Sequence, residues 1–123
     1  MKKIALAALA LLCSTPAFAQ AVSVPAATKN GSVVITTGNT FQTVLAAGSR
    51  RSLTIQNNNA TDNCWITFGS IGATAITAGN AAKASSQMLA PGGAYTRYFP
   101  YVPNDAIQGT CASNSDTLYI DTN

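Results

Sequence analysis

Hydrophobic and polar positions alternate with a period of two residues in several short stretches of the chain. Residues 52–56 read SLTIQ, so Leu53 and Ile55 fall on one face of an extended segment. Residues 117–121 read TLYID and repeat the alternation. Because successive side chains of a β-strand point to opposite faces, this pattern predicts strands that bury one face in a shared core.

Turn-forming residues, mainly Gly, Asn and Pro, separate these stretches. The predicted strands are 32–37, 40–46, 52–56, 64–68, 93–99, 105–111 and 117–121. Residues 72–90 fit two interpretations, because 73–77 is typical of a strand whereas Asn80 is a residue type that caps helices. The β neighbours favour strands or a loop there. Seven to nine short strands predict an all-β fold, either a small β-sandwich or a jelly-roll-like domain.

The alternation also predicts which residues share a face. Phe41, Thr43 and Leu45 fall on the same side of the second strand. In the fourth strand, Cys64 lies on one face and Trp65 on the other.

The first residues have the composition of a signal peptide. A basic start (MKK) is followed by the apolar stretch 4–12, which is too short to cross a bilayer, and by an AFA triplet that ends at Ala19. We expect cleavage after Ala19, with Ala21 as the near alternative, and a secreted or periplasmic protein with no membrane span. Cys13 leaves a lipoprotein as a lesser alternative. The predicted organisation is a signal peptide (1–19), a flexible N-terminal tether (20–31) and a β-sandwich domain (32–123). A loosely docked first strand is the alternative interpretation of residues 20–31.

Charge and composition narrow the classes of function. Two of the seven basic residues lie in the expected signal peptide, which leaves five against four aspartates. Such a balance provides no basic stripe for a phosphate backbone, so no nucleic-acid partner is expected. The arginines Arg50, Arg51 and Arg97 are expected to be solvated or paired locally.

Catalytic residue types are scarce. The chain has no histidine, which removes Ser-His-Asp and Cys-His chemistry. The four aspartates lie in predicted turns or beside the final strand, where turn formation and solubility explain them. The loop 57–63 is rich in side-chain oxygens that a calcium ion accepts, but a plain turn is the favoured interpretation. We expect no enzymatic activity, no cofactor and no metal site.

Two cysteines, Cys64 and Cys111, remain after the expected cleavage. An even pair in an oxidising compartment predicts one disulfide. It would close a loop of about 48 residues and stabilise the fold by roughly 4 kcal/mol in the chain-entropy model. A reactive thiol is not expected, because no histidine or obvious cation is present to activate it.

Four aromatic residues are candidates for ligand contact. Trp65, Tyr98 and Tyr119 fall on the polar side of their strands, and Tyr101 lies in the loop 100–103 between two prolines. A flat ring with Asn, Thr and Gln nearby suits a sugar, and it equally suits a protein interface, where Tyr and Trp are enriched. The competing interpretation of Trp65 is that a second sheet or the tether covers it.

Four stretches resemble small, uncharacterised β-rich proteins encoded in bacterial genomes and prophages, including phage virion and decoration proteins. The stretches are 53–57 (LTIQN), 64–69 (CWITFG), 89–95 (LAPGGAY) and 103–111, which begins PNDAI. Together they lie within residues 51–121. The resemblance implies a β-rich structural protein and transfers no functional residue.

The sequence thus predicts a secreted, disulfide-linked module that binds or assembles without catalysis. A cell-surface or particle-associated subunit, with a protein partner or self-assembly, is the first expectation. A carbohydrate-binding module that uses exposed aromatic residues is the alternative. A pilin-like subunit, which exposes a sheet edge for strand donation, is a further one.

Overall fold

The computed structural model describes residues 29–123, so the expected signal peptide and most of the expected tether lie outside the described residues. The strands are β1 (Lys29–Val34), β2 (Gln42–Leu45), β3 (Ser52–Asn57), β4 (Cys64–Thr67), β5 (Ser70–Ile71), β6 (Thr74–Ala75), β7 (Gln87–Leu89), β8 (Ala94–Tyr98), β9 (Ile107–Cys111) and β10 (Thr117–Thr122). A short 3-10 helix spans Lys83–Ser85. Over residues 29–123, no helix is long and apolar enough to cross a membrane.

Eight of these strands form two antiparallel sheets. The first sheet has the order β1-β10-β3-β8 and the second has the order β2-β9-β4-β7, while β5 and β6 form a separate hairpin. Buried residues of both sheets belong to one hydrophobic cluster. The predicted all-β class is therefore confirmed, and the arrangement is that of a small β-sandwich.

The strand pairs are nested along the chain. β1 pairs with β10, β2 with β9, β3 with β8 and β4 with β7. The first half of the chain therefore pairs with the second half, as in one long hairpin. The successive strand pairs alternate between the two sheets. As a result, the connections β2–β3 and β8–β9 come together at one end of the sandwich.

Alternating apolar residues build the core, as the sequence pattern predicts. Leu53 and Ile55 of β3 and Leu118 and Ile120 of β10 are fully buried. Burying an aliphatic side chain of this size contributes roughly 1.5–3 kcal/mol. From the second sheet, Gly109 of β9 lets the layers approach closely. A Cβ atom built there would lie 2.9 Å from Cγ1 of Val44 and 3.1 Å from Cδ1 of Leu118.

Two strand predictions need correction. β1 spans Lys29–Val34 and not the predicted 32–37, because its pairing with β10 runs from Thr122 back to Thr117. Residues 29–31 of the expected tether therefore belong to the first sheet. In β2 the predicted face is wrong, since Thr43 is exposed and Val44 is buried next to Leu45. The register against β9 shifts between Thr43 and Leu45, and a bulge of this kind interrupts the alternation of faces.

The uncertain stretch 72–90 contains β6, the 3-10 helix and β7. Asn80 caps no helix. Its side chain accepts a hydrogen bond from the Thr77 N–H at 2.6 Å and donates to the Ala75 carbonyl at 3.0 Å. This is the local turn chemistry for which asparagine is favoured.

The predicted disulfide is present between Cys64 and Cys111. The two residues lie directly opposite each other on β4 and β9 and are fully buried. The bond therefore joins the two central strands of the second sheet.

Candidate functional site

Three aromatic side chains from one short segment are the most exposed large hydrophobic residues of the described chain. Tyr98, Phe99 and Tyr101 are 69%, 76% and 80% exposed. They stand at the end of β8 and in the connection to β9, where the Phe99–Pro100 peptide bond is cis. We call these three residues the aromatic end.

A cleft of about 460 Å³ adjoins the aromatic end. It lies between the β2–β3 and β8–β9 connections. Its lining residues are Ser49, Arg50, Arg51, Phe99, Pro100, Val102 and Asn104.

The loop that carries the rings is held by main-chain hydrogen bonds and one apolar anchor. The Phe99 N–H donates to the Arg51 carbonyl at 2.9 Å, and the Tyr101 N–H donates to the Tyr98 carbonyl at 3.0 Å. Val102 turns inward and is 9% exposed within the core cluster. Because of these contacts, the exposed rings project from a fixed segment of backbone.

Arg50 links the two connections that line the cleft. It is only 7% exposed, and its guanidinium donates to the main-chain carbonyls of Ala46, Pro103 and Asp105. Burial lowers the pKa of Arg50, and the nearby Asp105 charge opposes that effect. An arginine remains charged at neutral pH even so. The sequence leaves two expectations for Arg50, solvation or local pairing. The structure excludes solvation and shows pairing with these three main-chain carbonyls.

Trp65 lies on the outer face of the second sheet and does not join the aromatic end. Its ring is half-buried, and the Lys83 Nζ atom lies 3.8 Å from the ring centroid. Lys83 also donates to the Asn39 side chain. One face of the indole is therefore occupied by an ammonium group of the same chain.

Tyr119 also stands apart from the aromatic end. It is half-buried on the outer face of the first sheet, and its hydroxyl donates to Asn30 Oδ1 at 2.5 Å. Tyr119 pairs with Gln56, whereas Tyr98 pairs with Ser52 four residues away along β3. That offset is roughly 13 Å, in addition to two strand spacings. Of the four aromatic candidates, only Tyr98 and Tyr101 share one site.

Phe99 was not among the candidates from the sequence. The predicted strand 93–99 included it, but β8 ends at Tyr98. The signal that could have found Phe99 is the segment FPYVP, in which two prolines interrupt an aromatic run. Proline lacks a donor for a sheet, so such a segment favours an exposed loop.

The asparagine-rich loop uses its side chains within the fold. Asn57 is fully buried and donates to the carbonyls of Asp62 at 2.7 Å and Leu89 at 2.9 Å. Asn59 accepts a hydrogen bond from the Thr117 N–H at 3.0 Å. The loop therefore fastens β3 to β7 and β10. Across residues 29–123, no three His, Cys, Asp or Glu side chains cluster as metal ligands.

Comparison with family models, with curated proteins and with solved structures found no match for this chain.

Proposed function

We propose that the protein is an exported, non-catalytic binding module that contacts a protein partner through the aromatic end. The main observation in support is the exposure of Tyr98, Phe99 and Tyr101 within one short segment. A single protein rarely exposes large apolar side chains in one contiguous group unless the group contacts another molecule. Tyrosine and arginine are also among the residue types that dominate binding energy in protein interfaces.

Pre-organisation supports this role. The backbone that carries the rings is hydrogen bonded to Arg51, and the buried Arg50 joins both connections that flank the cleft. Ordering a loop or a side chain on binding costs affinity, so a loop that is already fixed retains more of its contact energy.

The chemistry favours a protein over a glycan. Phe99 has no polar group, and it lines the cleft together with Pro100 and Val102. An apolar centre beside an exposed arginine is typical of the core and rim of a protein interface. A sugar-binding ring would instead need fixed polar side chains around it. Tyr119 meets this requirement better than the aromatic end, because its hydroxyl is hydrogen bonded to Asn30.

Export and particle association belong to the same proposal. The Cys64–Cys111 disulfide is compatible with an oxidising compartment. The nested strand pairing follows the order of a jelly roll, an architecture that capsid and lectin domains share. Together with the expected signal peptide, these features favour a subunit at the cell surface or on a particle.

The test compares two double variants in the producing culture. Phe99→Ala/Tyr101→Ala removes two exposed rings, and Ile71→Ala/Met88→Ala removes two apolar side chains of 53% and 51% exposure elsewhere. The readout is the fraction of exported protein that sediments with cell envelopes or particles. We expect the parent and the control to sediment and the aromatic variant to move to the soluble fraction, with equal unfolding midpoints for all three. Unchanged sedimentation of the aromatic variant overturns the proposal, and release of the parent by soluble glycan assigns the glycan alternative.

A further inference from the structure

The free edge of β8 is a second surface, separate from Phe99 and Tyr101. β8 is the last strand of the first sheet, and within residues 29–123 its one strand partner is β3. The Asn57 N–H donates to the Gly93 carbonyl, and the Phe99 N–H donates to the Arg51 carbonyl, both at 2.9 Å. Main-chain groups of an antiparallel strand alternate in direction, so the groups of Ala94, Thr96 and Tyr98 point away from β3. These three residues form the open edge.

We propose that β8 pairs antiparallel with β8 of a second copy, about a two-fold axis at Thr96. In this register, Thr96 faces Thr96 of the second copy and Ala94 faces Tyr98. Every outward N–H of the three residues then meets an outward carbonyl of the second copy. The two first sheets become one continuous sheet, with the same strand contributed by both subunits as a two-fold interface requires.

The side chains fit this register. Ala94, which is small, lies opposite Tyr98, whose ring is 69% exposed in the single copy. On the other face, Arg97 lies opposite Tyr95 of the second copy. Arg97 already places its guanidinium carbon 4.6 Å from the centroid of its own Tyr95 ring. The paired form offers the same cation–π contact across the axis, and it sets no arginine directly against another.

The existing contacts of the edge are compatible with pairing. Arg97 donates to the Thr96 carbonyl at 3.1 Å, and the Tyr101 N–H donates to the Tyr98 carbonyl. A carbonyl oxygen has two lone pairs, so each can accept a second hydrogen bond from the other copy.

The other sheet edges are less suited to pairing. β7 has only three residues, and β2 contains a register shift. On β1, the Gln42 side chain occupies the last position of the edge, since its amide donates to the Val34 carbonyl at 2.8 Å and accepts from the N–H of Thr36, beyond the strand, at 3.0 Å.

Pairing has a consequence for binding. Phe99 and Tyr101 lie beyond the paired segment, and the antiparallel arrangement sends them to opposite ends of it. Five residues of strand span roughly 17 Å, so Phe99 and Tyr101 of the two copies face separate sites on a repeating partner, while Tyr98 takes part in the pairing. Two linked contacts bind such a surface more tightly than one. This step rests on the proposed function, whereas the pairing itself does not.

Size measurement by sedimentation equilibrium tests the pairing with the oxidised protein. The Thr96 N–H points away from β3, so Thr96→Pro removes an edge donor and leaves the β3–β8 pairing intact. Thr96→Val is the matched control. We expect a concentration-dependent dimer for the parent and for Thr96→Val, weakened roughly tenfold or more by Thr96→Pro. A protein that stays monomeric at millimolar concentration overturns the pairing, as does a dimer that Thr96→Pro leaves unchanged.

Cross-linking determines the register of the pairing, and it does not require the Thr96→Pro variant to fold. Thr96→Cys places one thiol of each copy on the axis, about 5.5 Å apart between Cα atoms. Ala94→Cys places the two thiols roughly 13 Å apart along the strands. A short bifunctional thiol reagent should join the two copies of the Thr96→Cys variant and leave the copies of the Ala94→Cys variant unlinked. Equal linking of both variants overturns the register, and neither result bears on retention by Phe99 and Tyr101.

Discussion

Replacing Gly109 by alanine tests how closely the two sheets approach each other. A Cβ atom at this position would lie 2.9 Å from Val44 Cγ1, 3.1 Å from Leu118 Cδ1 and 3.2 Å from Val44 Cγ2. Val44 lies on the neighbouring strand and Leu118 comes from the opposite sheet, and both are buried. The new methyl group has no open space to enter, so one of these side chains must move.

The expected magnitude follows from two opposing terms. Overpacking a well-filled core typically costs about 1–3 kcal/mol. Replacing glycine by alanine also restricts the unfolded chain, which stabilises the fold by about 0.4–1 kcal/mol. Gly31 lies in β1, where an added Cβ would meet nothing within 4 Å. We expect Gly31→Ala to be neutral or slightly stabilising and Gly109→Ala to be destabilising by about 2 kcal/mol relative to it.

A double-mutant cycle assigns the cost to the contact. Val44→Ala removes both Cγ atoms that meet the new methyl group. In that background, Gly109→Ala should lose at least half of its cost, a coupling of about 1 kcal/mol. Urea unfolding of the oxidised protein, followed by fluorescence, gives all four free energies of unfolding. If Gly109→Ala unfolds at the same urea concentration as Gly31→Ala, the close packing of Gly109 against Val44 and Leu118 is refuted.

Three further predictions concern the connections between strands. Asn57→Ala should lower the free energy of unfolding by about 2–3 kcal/mol, because the buried Leu89 carbonyl and the partly buried Asp62 carbonyl lose their donor. Asn58→Ala, at an exposed neighbouring position, should change it by less than about 0.5 kcal/mol, and equal urea midpoints for the two variants would contradict this. Reduction of the disulfide, which links residues 47 positions apart, should lower the free energy by about 4 kcal/mol, as measured by urea unfolding with and without reductant. Arg50→Met should lower the free energy of unfolding by about 2 kcal/mol and release the protein from the sedimenting fraction. Arg51→Met, at an exposed position, should leave the free energy of unfolding within about 0.5 kcal/mol of the parent value. Retention of Arg50→Met at the parent level would show that the buried arginine does not position the aromatic end.

Local patterns predicted the parts of the fold that depend on neighbouring residues. The alternation at Leu53 and Ile55 identified a strand with the correct buried face, because a half-buried strand repeats every two residues. The Cys64–Cys111 disulfide follows from the number of cysteines, because only these two remain after the expected cleavage. The alternation of residues does not predict the bulge in β2, because the shift between Thr43 and Leu45 depends on the register with β9.

The candidate site was predicted only in part, for a similar reason. Tyr98 and Tyr101 were identified as exposed aromatic residues. For Trp65 the pattern leaves exposure and coverage by a second sheet or the tether open. It cannot show that Lys83 lies against the ring, because this is a contact between residues on different elements. Arg50 became a buried link because the nested pairing brings the β2–β3 and β8–β9 connections together, and no local pattern contains that information.

The most direct measurement is photo-cross-linking from the aromatic end in the producing culture. A benzophenone amino acid replaces Phe99 in one variant and Ile71 in a control, two side chains that are 76% and 53% exposed. We expect irradiation to join position 99, but not position 71, to one defined protein, which mass spectrometry identifies. Adducts of equal yield at both positions, or none at position 99, would contradict a binding role for the aromatic end.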